Sequence, residues 1–133
     1  MEEKRYTLSK SERLCSKLMI ERLFAGGNKS LPAYPLRVVY MCLPSNEEMT
    51  DVSILISVPK KRFKRAVKRN LIKRQIREAY RRNKYILIDA LASMKESKRL
   101  YVAFIWLGNQ IHSSEEVERK VKKLLDQIVE SMQ

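Results

Sequence analysis

Apolar residues recur along this chain in two rhythms, one of three to four residues and one nearly continuous, and together they outline its elements. Over "SERLCSKLMIERLFA", residues 11–25, Leu14, Leu18, Ile20, Leu23 and Phe24 fall at helical spacing. Ser11 is placed to cap that helix, and Gly26, Gly27 and Asn28 supply a stop. "PLRVVYMCLP" (Pro35 to Pro44) is rich in β-branched and aromatic residues and reads as a strand, as does "VSILISV" (Val52 to Val58). The short polar link between them predicts a hairpin. "KSLPAY" ahead of the first adds a short edge strand. "LYVAFIWLG" (Leu100 to Gly108) is almost wholly apolar, as expected of a strand buried on both faces in mid-sheet.

Three further stretches are helical. One runs from about Arg65 to Arg82. "YILIDALASMK" has Leu87, Ala90, Leu91 and Met94 at helical spacing and either continues that helix past a bend or forms its own. In "SSEEVERKVKKLLDQIVESMQ", Ser113 or Ser114 caps the start and the acids of the first turn suit the helix dipole. Its inward stripe is Val117, Val121, Leu124, Leu125, Ile128 and Val129. The order is helix, two or three strands, basic helix, strand, helix. That order predicts an α+β sandwich, one sheet with helices against a face. A length of 133 residues suits a single domain over 1–133 with a core that needs no staples.

Charge changes the picture. Lys60 to Arg82 ("KKRFKRAVKRNLIKRQIREAYRR") holds 12 basic residues and one acid, Glu78, leaving 16 basic and 14 acidic residues in the other 110. The chain is therefore a nearly neutral globule with one intense positive patch. Such a patch destabilises a fold by self-repulsion unless an anionic partner meets it. Nucleic acid, an anionic membrane surface and an acidic protein all qualify. A membrane-surface helix sets Trp, Phe or Leu opposite its charges; the apolar residues here suit core contacts better, which favours a polyanion.

On a helical wheel Arg69, Lys73 and Arg77 form one stripe, with Asn70 beside it. Ile72, Ile76 and Ala79 form an adjoining apolar stripe that should dock on the sheet. Val67 and Leu71 lie on the far side, and Lys68, Arg74, Arg81 and Arg82 fill the flanks. Docking would hold the cations at fixed spacing. Arg presents a planar fork to phosphate oxygens, Lys a mobile point charge, and Asn70 both donates and accepts.

Catalysis by the polypeptide is not indicated. His112 stands alone, where metal-free RNA cleavage favours a pair of imidazoles. Asp51, Glu78, Asp89 and Asp126 are scattered over different elements, where two-metal hydrolysis needs clustered carboxylates. Cys15 and Cys42 lack metal-ligand spacing and suggest buried, reduced thiols. "MEEKRYTLSK" has no apolar signal core, and no apolar run approaches the roughly 18 residues of a membrane span. A cytoplasmic protein is expected.

"SVPKKRFKRAVKRNLIKRQIREAYR" (Ser57 to Arg81) resembles the signature of the bacterial ribonuclease P protein subunit family. The match is carried by Lys60, Lys61, Ala66, Val67, Arg69, Asn70, Lys73, Arg74, Arg77 and Glu78. Leu8, Lys10 and "LFAGG" extend it toward the N-terminus. The resemblance implies a mixed sheet of about four strands with a left-handed βαβ crossover. It implies binding to a large catalytic RNA through the basic helix region and to the single-stranded 5′ leader of precursor tRNA in a cleft between that helix and the sheet. Hydrolysis would belong to the RNA subunit and its Mg²⁺, with no protein catalytic residue, no membrane and no obligate protein partner. RNA-binding positions carried over are Lys60, Lys61, Arg62, Arg65, Lys68, Arg69, Asn70, Lys73, Arg74 and Arg77. Cleft positions are Ile20, Phe24 and Tyr40, where an aromatic face can stack on an unpaired base or simply fill a core. Two departures stand out: Ile20 occupies a frequently aromatic position, and Leu71 replaces the second arginine of the family's R-N-R triplet. The alternatives are a general RNA-binding or ribosome-associated module and, more remotely, a DNA-binding protein.

Overall fold

The computed structural model describes residues 17–26, 28–44, 51–96 and 98–132. The elements are α1 (Lys17–Phe24), β1 (Lys29–Ala33), β2 (Leu36–Pro44), β3 (Asp51–Ser57), α2 (Ala66–Asn83), α3 (Tyr85–Ala92), β4 (Lys98–Trp106) and α4 (Ser114–Met132). Ser11, Leu14, Cys15 and the turn 45–50 lie outside the described residues.

The four strands form one mixed sheet in the order β1-β2-β4-β3. β1 and β2 are an antiparallel hairpin whose turn carries a cis Tyr34–Pro35 bond. β2 and β4 are antiparallel, and β3 and β4 are parallel, with α2 and α3 as the crossover. The hairpin expected between β2 and β3 does not form: β4 lies between them. The reason is apolar content. Leu100, Val102, Ala103, Phe104 and Trp106 are all sealed from solvent, which requires a sheet neighbour on each side and cover on both faces. A β2–β3 hairpin would have left that strand at an edge.

The helices divide unequally between the faces. On the helix-rich face, α2, α3 and α4 cover a large core that includes Leu36, Val38, Tyr40, Ile54, Val102, Phe104 and Trp106. Into it α2 sends Ile72, Ile76, Ala79 and Tyr80, and α4 sends Val117, Val121, Leu124, Leu125 and Ile128. α3 is a separate short helix. Its buried Leu87 and Leu91 extend the roof against α4 and β3, which gives the 85–92 stretch a packing role. Ser113 caps α4, its Oγ accepting from the Glu116 amide at 3.2 Å. The other face carries a smaller core of Leu23, Val39, Met41, Tyr101 and Ala103, with α1 lying over β2. α1 stops where Gly26 adopts φ 98°, and the Asn28 amide donates to the carbonyls of Arg22 and Leu23 at 3.0 and 2.8 Å. Cys42, expected to be buried, is exposed near the end of β2.

Candidate nucleic-acid interface

The basic segment begins as a loop and becomes α2, and three contacts hold the loop in place. Phe63 is buried in the main core. Arg62 Nη1 donates to Asn109 Oδ1 at 3.3 Å, tying the loop to the chain leaving β4. Arg69 Nη1 donates to the carbonyls of Phe63 and Lys64, both at 2.8 Å. Lys60, Lys61, Lys64 and Arg65 are left projecting into solvent. A basic loop ordered in advance spends less entropy on meeting its partner.

On α2 the expected stripes are present. Ile72, Ile76 and Ala79 are at most 3 % exposed, while Val67 and Leu71, on the outer side, are 78 % and 43 % exposed. Arg69, Lys73 and Arg77 are each half-buried, in a row beside the apolar seam. α4 meets the other flank: Gln75 Nε2 donates to the His112 carbonyl and Ser114 Oγ, and Arg82 lies 3.7 Å from Glu118. At 100° per residue the cation row is therefore turned away from α4, toward the side where α2 overlies β3. Asn70, Lys68 and Arg74 stand on the exposed surface around it.

Compensation of the charge is uneven. Arg81 pairs with Glu78 at 3.0 Å, and that hydrogen bond, helped by Arg82 and Arg74, lowers the Glu78 carboxyl below its ordinary value against a smaller opposing effect of desolvation. With Arg82 facing Glu118, the C-terminal end of α2 is partly neutralised. Among the described residues no carboxylate pairs with Lys60, Lys61, Arg65, Lys68, Arg69, Lys73, Arg74 or Arg77. The unpaired charge thus gathers on the loop and the first three turns of α2. The N-cap there, Arg65, makes no side-chain capping bond, so the positive end of the helix dipole adds to the same field.

The aromatic positions do not gather as the resemblance implies. The inner face of α2 is closed against the core, and Ile20 and Phe24 lie on the opposite face of the sheet. There a cleft of about 360 Å³ is lined by Leu23, Phe24, Gly26, Asn28, Ser30, Arg37, Val39 and Ile105. Phe24 is 45 % exposed, so its ring has a free surface; Ile20 is half-buried against the smaller core. Tyr40 belongs to the other side. Its ring is 2 % exposed in the helix-side core, and its hydroxyl is hydrogen-bonded to Ser131 Oγ near the end of α4. Strand alternation is the cause: Leu36, Val38 and Tyr40 face the helix layer, while Arg37 and Val39 line the cleft and Met41 joins the smaller core on that same face. Arg37 and Ser30 were not among the positions expected from sequence. The available signal was Arg37 itself, the one charged residue in an otherwise apolar strand.

The cleft and the basic loop share one end of the sheet. Arg37 is in register with Ile105, and Ile105 with Ser57, the last residue of β3. From Ser57 the chain passes within three residues to Lys60. Among the described residues no three His, Cys, Asp or Glu side chains cluster as a metal site would require. None of the described helices is long and apolar enough to cross a membrane.

A sequence model of the Ribonuclease P family matches residues 8–129. The ribonuclease P protein component of Porphyromonas gingivalis is 44 % identical over 125 residues, covering 92 % of this chain and 87 % of its own. That of Chlorobaculum tepidum is 31 % identical over 133 residues, covering 96 % and 86 %. The RNase P protein of Staphylococcus aureus superposes with a TM-score of 0.62 at 23 % identity, covering 90 % of this chain and 96 % of its own. That of Thermotoga maritima gives 0.61 at 23 %, covering 87 % and 96 %.

Fold, charge and the family match together define a basic α+β sandwich of the RNA-binding subunit class. Family and relatives agree along nearly the whole length. The chain belongs to the ribonuclease P protein component family, the protein subunit of the ribonucleoprotein endonuclease that matures tRNA 5′ ends.

Proposed function

We propose that this subunit divides its two tasks between two surfaces. The loop Lys60 to Arg65 and the exposed cations of α2 grip the catalytic RNA. The cleft under Phe24, on the opposite face of the sheet, receives the single-stranded 5′ leader of precursor tRNA, with Lys60 and Lys61 following β3 at the same end of the sheet. The observation that carries this reading is the uncompensated charge on the loop and first turns of α2, held in place by a buried apolar seam. Arg supplies bidentate phosphate contacts and Phe24 a sequence-tolerant stacking surface. Tyr40 takes no part in stacking, because its ring is enclosed.

Mg²⁺ is assigned to the RNA partner. The described side chains offer no clustered oxygen donors, whereas RNA phosphates do, so the polypeptide's share is to bind, orient and screen charge. The subunit works in the cytoplasm and needs no protein partner.

The test is a precursor tRNA cleavage assay with the cognate catalytic RNA, with and without this chain. Adding the chain should lower the Mg²⁺ requirement and tighten precursor over mature tRNA. Equal tightening of both would remove the leader cleft. No stimulation, with similar affinity for unrelated structured RNAs, would favour a general RNA-binding module.

A further inference from the structure

Arg37 is an anomaly in its strand. It stands among Leu36, Val38, Val39, Tyr40 and Met41 on an interior strand of the sheet, yet it is exposed. It faces the side of the sheet that α1 covers only in part. Its Nε donates to Ser30 Oγ at 2.6 Å. Among the described residues that is the side chain's one hydrogen-bond partner, and no carboxylate pairs with it.

The geometry of that bond matters. Nε is the inner nitrogen of the guanidinium. Engaging it with a hydroxyl from the neighbouring strand fixes the plane of the group and leaves the outer pair of nitrogens to a ligand. The same outer fork matches two oxygens of a phosphate. Around it the cleft is divided by chemistry: Val39 and Ile105 are apolar, Phe24 offers a free ring, and Arg37 with Ser30 supplies the polar side. An apolar floor, one aromatic face and one oriented cation suit one nucleotide of an unpaired strand, the base on the ring and the phosphate on the fork.

We propose that Arg37 is the contact that sets the register of the leader in this cleft, its outer nitrogens taking one backbone phosphate of the strand whose base stacks on Phe24. Ser30 is the positioning residue that holds the fork. This rests on the leader-binding reading above. It makes a statement that reading does not: one leader phosphate counts for more than its neighbours, and one residue accounts for it.

The experiment uses the reconstituted holoenzyme and precursor tRNAs in which one leader phosphate at a time is replaced by an uncharged methylphosphonate. For the unsubstituted protein, one position should weaken binding about five- to tenfold, the scale of a charge-assisted contact at a partly exposed site. In Arg37→Gln that position should lose its effect, while substitutions elsewhere weaken both proteins alike. Arg37→Lys should recover part of the affinity, since it keeps the charge without the fork. Ser30→Ala should blur the sensitive position over its neighbours, and Ser30→Thr, which keeps the hydroxyl, should restore it. A merely structural role for Ser30 would shift the melting curve and leave the position profile unchanged. Identical profiles for Arg37→Gln and the unsubstituted protein would overturn the proposal while leaving the leader cleft intact. Equal binding of precursor and mature tRNA by the unsubstituted holoenzyme would instead remove the cleft itself, and the proposal with it. Circular dichroism checks that Arg37→Gln is folded; should it not be, Arg37→Lys and the Ser30 pair carry the same comparison.

Discussion

The guanidinium of Arg69 lies 2.8 Å from the carbonyl oxygen of Phe63, one full turn outside the start of α2. A second bond of equal length reaches the carbonyl of Lys64. Arg69 therefore serves the charged row and also clamps the loop that presents Lys60 to Arg65. Lys73, one turn further on, adds charge without any such clamp.

That difference separates two substitutions. Lys73→Ala should leave the melting temperature almost unchanged and weaken RNA binding, lowering the salt slope by roughly 0.7–0.9 log units if it meets one phosphate. Arg69→Ala should cost affinity and also about 1–2 kcal/mol of stability, chiefly from the lost part-buried hydrogen bond to Phe63, with a smaller share from the exposed one to Lys64. Ile76→Ala, fully buried, should cost about 2–5 kcal/mol. Thermal denaturation alongside filter binding checks all three; unfolding by Lys73→Ala would show the cation row to be misassigned.

Tyr40 and Phe24 should behave in opposite ways. Tyr40→Phe removes the bond to Ser131 from an enclosed site, so it should lower stability by about 1 kcal/mol and leave precursor affinity unchanged. Phe24→Ala, on the open side, should cost about 1–3 kcal/mol of precursor binding, as a lost stacking contact does, with little change for mature tRNA. Titration of both substrates against both variants decides it.

Leu71→Arg should be a gain. The side chain is 43 % exposed beside Arg74, Gln75 and Glu78, so a longer polar residue needs no repacking. Restoring the family's arginine should tighten binding to the catalytic RNA and steepen its salt dependence by roughly 0.7–0.9 log units. An unchanged slope would mean that the outer face of α2 does not touch RNA.

Acid should loosen the start of α4 through Glu116. Its carboxyl is held below the ordinary value of 4.5, chiefly by the hydrogen bond with His112 Nδ1 at 3.0 Å and further by the charges of His112, Arg119 and Lys120, against a desolvation effect that raises it. A carboxyl whose pKa is lower in the folded state gives its full contribution above its unfolded value. That contribution is lost as pH falls through the folded value. Melting curves from neutral pH down to about 3 should show Glu116→Gln and the parent protein converging at the acid end. The His112 ring also meets Trp106 edge-on at 5.5 Å, so the sole tryptophan reports the same loosening by fluorescence.

What could be read from the chain alone was what depends on near neighbours in sequence. The stripes of α2 and α4 follow from a 3.6-residue period that every residue obeys locally, so Ile72, Ile76 and the row Arg69, Lys73, Arg77 were legible, as was the imbalance of charge. The family signature lies in the same stretch and was legible with it. Strand neighbours are another matter. β4 enters between β2 and β3 from more than 40 residues downstream of β3, and nothing in the β2–β3 link announces it. Nor does alternation identify the faces of β2. Val38, Val39, Tyr40 and Met41 are all buried because both sides of the sheet are covered there, so no polar position marks which way Tyr40 turns. Only the tertiary packing decided that Tyr40 joins the helix-side core, that Cys42 emerges beyond it, and that Arg37 meets Ser30 and Phe24 in an open cleft. Helical periodicity is written along one segment, whereas a sheet's faces are set by what other segments bring to cover them.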